Sequence, residues 1–162
     1  MKTIRVFTDG SYIRKKKDEQ IKIYCGYGIF FPDAELPNVS EPLVIKKLTN
    51  NRAELFAVYT ALTMITKLDK FDKITIYSDS EYVIKSMTEW IKKWRSNGWK
   101  KSNNKMVDNL DLILLIDKMM DNVEFIHVVS HTDKKDEISK YNKIVDGLAK
   151  KGALSKENIN RK

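Results

Sequence analysis

A helix held between two strand patterns limits how this chain can fold. From Thr49 onward, Leu55, Val58, Leu62 and Ile65 recur at helical spacing, with Ala53, Ala57 and Ala61 between them. Such a stripe packs a helix onto a sheet. Before it lies Thr3-Ile4-Arg5-Val6-Phe7, which alternates apolar and polar residues and is rich in β-formers. After it lies Lys73-Ile74-Thr75-Ile76-Tyr77-Ser78-Asp79, a second such run that ends in an acid. A helix between two strands of one sheet implies a parallel crossover, and ligands gather at the carboxyl ends of such strands.

Acids stand at those ends. Thr8-Asp9-Gly10-Ser11 follows the first strand. A carboxylate held on a strand is rigidly aimed, and glycine lets a neighbouring backbone approach. Taken alone, Asp9 reads more readily as a turn aspartate, and what tips the balance is that Glu54, Asp79 and Asp146 recur in equally pointed settings. Glu54 shares a helix face with Val58, Ala61 and Ile65, so it points inward, although Asn51 and Glu54 also have capping-box spacing. Asp79 ends its strand just before Ser80, which caps the helix that follows. Asp146 lies one residue from the buried side of the last helix.

The remaining segments fill in the sheet. Arg14–Glu19 reads as a solvated hairpin tip, Ile21–Phe31 as a second strand, and Leu43-Val44-Ile45 as a short third one. Together they form an antiparallel meander. Asn50 or Asn51 is the expected cap of the first helix. Val107–Met120 reads as a helix with Leu110, Ile113, Leu114 and Met120 inward, and Val123–Val129 as a fifth strand containing a packed His127. Thr132–Lys140 reads as a polar loop, Tyr141–Leu154 as the closing helix, and the tail from Ser155 as frayed.

The stretch Glu89–Lys101 is unlike the rest. It holds all three tryptophans, Trp90, Trp94 and Trp99, among Lys92, Lys93, Arg95, Lys100 and Lys101. Rings interleaved with cations suit nucleic acid. A tryptophan stripe in the core beside a solvated basic face is the plainer alternative. Trp90 and Trp94, four apart, are expected to pack, and Trp99, after Gly98, to face a ligand.

Composition sets outer bounds. The 162 residues, 42% hydrophobic, suit one domain with a real core. A net charge of +8 favours a polyanionic partner. Cys25 is the lone cysteine, which excludes an intramolecular disulfide and fits a reducing compartment. No signal segment opens the chain, and no apolar run nears the ~20 residues that span a bilayer. The expectation is a soluble, cytoplasmic monomer with no membrane attachment, built as one domain over 1–155 with a tail at 156–162.

Six motifs together resemble the type 1 ribonuclease H family. They are Thr8-Asp9-Gly10-Ser11, Thr49-Asn50-Asn51-Arg52-Ala53-Glu54-Leu55, Tyr77-Ser78-Asp79-Ser80, Asn97-Gly98-Trp99-Lys100, Val129-Ser130-His131, and Asn142 with Asp146-Gly147-Leu148-Ala149. The resemblance covers nearly the whole chain. It implies an α/β fold with a five-stranded mixed sheet of order 3-2-1-4-5 flanked by helices. It also implies endonucleolytic cleavage of the RNA strand of RNA–DNA hybrids, leaving 5′-phosphate and 3′-hydroxyl ends.

By that likeness Asp9, Glu54, Asp79 and Asp146 hold two Mg²⁺ ions, or Mn²⁺, and His131 assists proton transfer or product release. Asn50 and Asn51 match readers of the minor groove and RNA 2′-hydroxyls. Lys47, Thr49 and Asn109 match a DNA-phosphate pocket, Tyr82 and Trp99 a DNA-strand channel, Asn142 a further substrate contact, and the Trp–Lys segment a basic protrusion. Four departures stand out: Lys47 where some members carry Arg, Gly147 inside the last helix, a long stretch between His131 and Asp146, and a long charged insert at Arg14–Glu19. A recombinase core on the same fold usually orders its acids Asp, Asp, Glu, unlike the order here. A non-catalytic hybrid-binding module usually lacks one of the four.

Overall fold

A computed structural model describes residues 2–130 and 135–159. Strands β1 (Thr3–Lys17), β2 (Gln20–Phe30) and β3 (Val39–Pro42) form an antiparallel meander. Helix α1 (Asn50–Ile65) then crosses to β4 (Lys73–Ser78), which lies parallel to β1. Next come α2 (Glu81–Lys85), a π-helical turn (Ser86–Trp90), α3 (Ile91–Asn97) and α4 (Leu110–Asp117). Strand β5 (Val123–His127) pairs parallel to β4, α5 (Glu137–Leu154) follows, and β6 (Asn158–Ile159) ends the described chain. The sheet order is β3-β2-β1-β4-β5, as the resemblance implies, with β6 added beside β2.

The sheet is covered on both faces. The main core lies under α1, where Ile4, Val6, Ile74 and Ile76 meet Leu55, Val58, Leu62 and Ile65. A smaller cluster of Phe7, Val128 and Val145 lies under α5. There Phe7 stacks on Tyr77 with ring centroids 4.4 Å apart and meets Tyr141 edge-on at 5.4 Å. Gly28 lets α5 settle on β2, since a Cβ there would stand 2.7 Å from the Ala149 nitrogen.

Several local expectations are corrected. Arg14–Lys17 are not a loop: β1 continues through them, and only Asp18 and Glu19 turn. The third strand is Val39–Pro42, because β2 pairs with these residues; Leu43 follows it, buried, donating to the Cys25 carbonyl at 2.8 Å. Thr49, not Asn50 or Asn51, caps α1, its Oγ1 accepting from the Arg52 amide at 3.0 Å. Helix α4 starts at Leu110, so Leu112, Ile113 and Ile116 are buried while Leu114 is exposed.

The strand at 123–129 ends at His127, whose side chain is exposed rather than packed, because β5 is the outer strand of the sheet. Helix α5 begins at Glu137, where Asp136 caps it, accepting from the Ser139 amide at 2.7 Å, and Glu137 pairs with Arg5 at 3.3 Å. The tail does not fray at once: β6 pairs with β2 at Lys22 and Ile23.

Candidate active site

Register brings the acids together. β1 and β4 run parallel with Phe7 opposite Tyr77, and Asp9 and Asp79 each lie two residues further on. Gly10 admits the third acid. A Cβ at Gly10 would stand 2.5 Å from the Glu54 backbone nitrogen, so only glycine lets the first turns of α1 rest on the strand. The Gly10 amide then donates to Glu54 Oε1 at 2.7 Å and to Asp9 Oδ1 at 3.0 Å. Glu54 is therefore aimed by the strand and takes no part in a capping box. One carboxylate oxygen from each of Asp9, Glu54 and Asp79 lies within 4.8 Å of the others. Asp9 and Glu54 are buried.

Asp146 approaches from α5. With Asp79, Ser130, Asn142 and Lys143 it lines a cleft of about 60 Å³, and its Oδ2 pairs with Lys150 at 3.0 Å. Asn142 is buried, and its Oδ1 has no hydrogen-bond partner among the described residues. His131 lies outside the described residues.

Burial, first, and then the charge of Glu54 push the Asp9 carboxyl well above its ordinary range. Burial also pushes Glu54 up, while its hydrogen bonds to Asp9 and the Gly10 amide pull back. Such acids hold protons in common or gather around a cation. An all-oxygen donor set of carboxylates fits a hard dication of the Mg²⁺ or Mn²⁺ kind, so the residues suit the metal that the sequence motifs imply.

A second constellation surrounds the start of α1. Asn50 and Asn51 occupy its first exposed positions, freed because Thr49 does the capping. Arg52, buried below them, donates through Nε to the Lys47 carbonyl at 2.9 Å and through Nη1 to Asn109 Oδ1 at 3.3 Å. It also grips Asp111 with both terminal nitrogens, at 2.9 and 2.8 Å. Asn109 in turn donates to the Tyr82 hydroxyl at 2.8 Å. Lys47 and Asn109 both adopt left-handed backbone, with φ of 58° and 59°. Thus Lys47, Thr49 and Asn109, grouped by the resemblance, are tied together through Arg52, and Tyr82, assigned with Trp99 to the strand channel, adjoins them through Asn109. The residues that tie them, Arg52 and Asp111, had no assigned role there, and a buried-face arginine in α1 was the available signal.

The basic segment forms a separate cleft. Trp90, Lys93, Trp94, Lys100 and Lys101 are among the residues around a space of about 480 Å³. Lys92 is exposed on α3. Arg95 pairs with Asp117, and Lys101 with Asp108 at 3.1 Å, so these two cations are partly committed. The expectation for Trp90 needs correction. Trp94 packs as expected, but Trp90 is 40% exposed, carried outward at the end of the π-helical turn, with its ring 6.0 Å from that of Trp94. Gly98 takes a φ of 77°, and the chain turns back so that Trp99 packs part of its ring on the core, its amide donating to the Trp94 carbonyl at 2.8 Å.

Three comparisons bear on these clusters. The family model for RNase H matches residues 1–154. A Ribonuclease H of Schizosaccharomyces pombe is 39% identical over 150 residues, 91% of this chain and 52% of that protein. A Ribonuclease HI of Haemophilus ducreyi is 36% identical over 154 residues, 94% of this chain and 92% of that protein. The chain thus spans about half the length of the first relative and nearly all of the second. The solution structure of the PFV RNase H domain superposes with a TM-score of 0.71 at 22% identity, covering 94% of each chain, and shows the same fold.

Proposed function

The chain belongs to the RNase H family, and from that membership we propose that it hydrolyses the RNA strand of RNA–DNA hybrids, leaving 5′-phosphate and 3′-hydroxyl ends. The observation that carries this reading is the convergence of Asp9, Glu54 and Asp79 within 4.8 Å, with Asp146 across a small cleft. A pair of Mg²⁺ ions held there would supply an activated water and stabilise the departing oxygen of an in-line displacement. Asp9, which faces Glu54, Asp79 and Asp146, would be shared by both ions. Asp146 would help hold the ion that activates the water, and Glu54 and Asp79 the ion on the side of the leaving group.

The chain's own groups do the positioning. Gly10 holds Glu54 in place through its amide. Asn50 and Asn51 present amides, each both donor and acceptor, to the RNA 2′-hydroxyls in the wide minor groove. Lys47, Thr49 and Asn109 receive a phosphate of the DNA strand, Tyr82 and Trp99 line its path, and Asn142 adds a contact beside Asp146. The cleft at Trp90, Lys93 and Lys100 draws in the backbone by charge. His131 assists proton transfer or product release. We place the enzyme in the cytoplasm as a monomer; burial pushes the lone Cys25 thiol up to about 11, which leaves it unreactive there.

The test is a panel of duplexes of equal length and sequence, incubated with Mg²⁺. Cleavage of the RNA–DNA hybrid is expected, with little of RNA–RNA, none of DNA–DNA, and poor cutting at a single ribonucleotide within DNA. Comparable cutting of DNA–DNA overturns the reading.

A further inference from the structure

The catalytic strand continues into an arm. β1 and β2 stay paired from Phe7–Phe30 to Lys17–Gln20, whereas β4 leaves β1 at Phe7 and β3 leaves β2 at Gly26. Past those points the sheet is a two-stranded ribbon, braced on one edge by β6 at Lys22 and Ile23. Asp18 and Glu19 close it with φ of 51° and 65°, a mirror-type turn that matches the right-handed twist of a hairpin. Arg14–Lys17 are therefore held on a ladder in fixed register with Asp9.

The two faces of the arm differ. Alternation puts Arg14 and Lys16 on the face that carries Gly10 and Tyr12, the side of the sheet on which α1 packs. On the opposite face Lys15 stands across from Lys22, a like-charge pair that is unfavourable by itself. That face is relieved by the tail: Glu157 pairs with Lys22 at 3.1 Å and accepts from the Tyr24 hydroxyl at 3.2 Å, and Lys15 Nζ sits 5.5 Å from the Tyr24 ring centre. Arg14, Lys16 and Lys17 are exposed and have no carboxylate partner among the described residues.

We propose that this arm is a second phosphate-backbone contact for the duplex beyond the catalytic cleft, made by Arg14 and Lys16 on the α1 side and by Lys17, which alternation puts on the other face but which sits at the tip beside the turn. The inference rests on the hybrid-cleaving reading above. These residues lie five to eight positions past Asp9 on one strand, about 17–27 Å away at ~3.4 Å per residue. That distance corresponds to about five to eight base pairs of duplex. A hybrid that ends short of this reach gains nothing from the arm, and a longer one gains affinity without sequence preference.

The experiment compares the wild type with the variant Arg14→Ala, Lys16→Ala, Lys17→Ala on hybrids of about 8 and about 30 base pairs, lengths chosen to fall short of and to exceed the arm. Binding to the long hybrid is measured in EDTA across a salt series, and KM for central cleavage in Mg²⁺ on both. The long hybrid is expected to bind at least about tenfold more weakly, with the slope of log K against log salt smaller by about three. KM on the short hybrid should stay within about twofold, since its ends fall short of the arm. Lys16→Arg with Lys17→Arg should keep the wild-type slope. Should the triple variant not fold, Lys17→Ala alone, beside the turn, should lower the slope by about one. An unchanged slope on the long hybrid, or equal losses on both lengths, overturns the arm. Absence of cleavage by the wild type strikes the functional reading instead, and the binding arm of the experiment still decides the inference.

Discussion

Arg52 and Asp111, 59 residues apart in the chain, close a two-pronged ion pair at 2.9 and 2.8 Å beneath the start of α1. The arginine is buried and the carboxylate largely exposed. The pair therefore anchors α4 to α1 from below, and the remaining arginine donors hold Lys47 and Asn109. Arg52 lowers the Asp111 carboxyl below its ordinary value through the hydrogen bonds it donates. Arg52 thus ties together Lys47 and Asn109 of the proposed DNA-phosphate pocket.

Arg52→Lys keeps the charge and loses the planar fork, so Lys47 and Asn109 are no longer held together. KM for the hybrid should rise several-fold with kcat nearly unchanged. Arg52→Ala should also cost about 2 kcal/mol of stability, because polar groups on two elements lose their partner. Steady-state kinetics and chemical denaturation check both; equal kinetics for wild type and Arg52→Lys would show that the fork does not shape the pocket.

Asp9→Asn should lower cleavage by at least about a thousandfold, while hybrid binding largely persists. The same change should stabilise the metal-free protein at neutral pH. Burial and the Glu54 charge raise the Asp9 carboxyl, so its protonated form favours the fold. That contribution is complete below the unfolded carboxyl value of about 4 and is lost as pH rises toward the raised folded value. Thermal melting in EDTA should show the wild type losing stability relative to Asp9→Asn between about pH 5 and 8, a window above that unfolded value. Mg²⁺ should raise the melting temperature of the wild type and much less that of the variant.

Two glycines should respond in opposite ways. Gly147 is exposed within α5, and a Cβ there would meet nothing within 4 Å. Gly147→Ala should stabilise by up to about 1 kcal/mol, or about 2–4 °C in Tm. Gly10→Ala would drive a methyl into the backbone of α1 at Glu54. It should lower Tm by several degrees and weaken Mg²⁺ binding, as calorimetry would show.

Replacing Lys92, Lys93 and Lys100 with Ala should raise KM at moderate salt more than it lowers kcat, and reduce the salt slope of hybrid binding by up to about three. Lys101→Ala should add little, because Asp108 already holds that ammonium. A salt titration of Kd for the two variants separates a phosphate-binding face from a solvated one.

The sequence by itself determined the order of elements and the identity of the acids. Helical spacing from Leu55 to Ile65 and the alternating runs before Asp9 and Asp79 are short-range patterns, and they survive folding because each element buries its own stripe. Ser80 was legible for the same reason, as its capping of the Val83 amide is set by immediate neighbours, whereas the backbone that Gly10 admits lies 44 residues away at Glu54. The tertiary structure decided whatever depends on partners far along the chain. Arg14–Lys17 carry no apolar alternation, and they become strand only because Gln20–Ile23 lie opposite them. Val39–Pro42 form β3 because β2 offers its edge there, and Asn158–Ile159 dock on that same strand. His127 is exposed because β5 ends the sheet, a fact of strand order and not of its flanking residues. The π-helical turn that swings Trp90 outward and the pairing of Arg52 with Asp111 leave no periodic trace, since each is fixed by how two helices meet. Local sequence carries the periodicity that forms an element; only the packed chain supplies the neighbour that chooses which face it turns and where it stops.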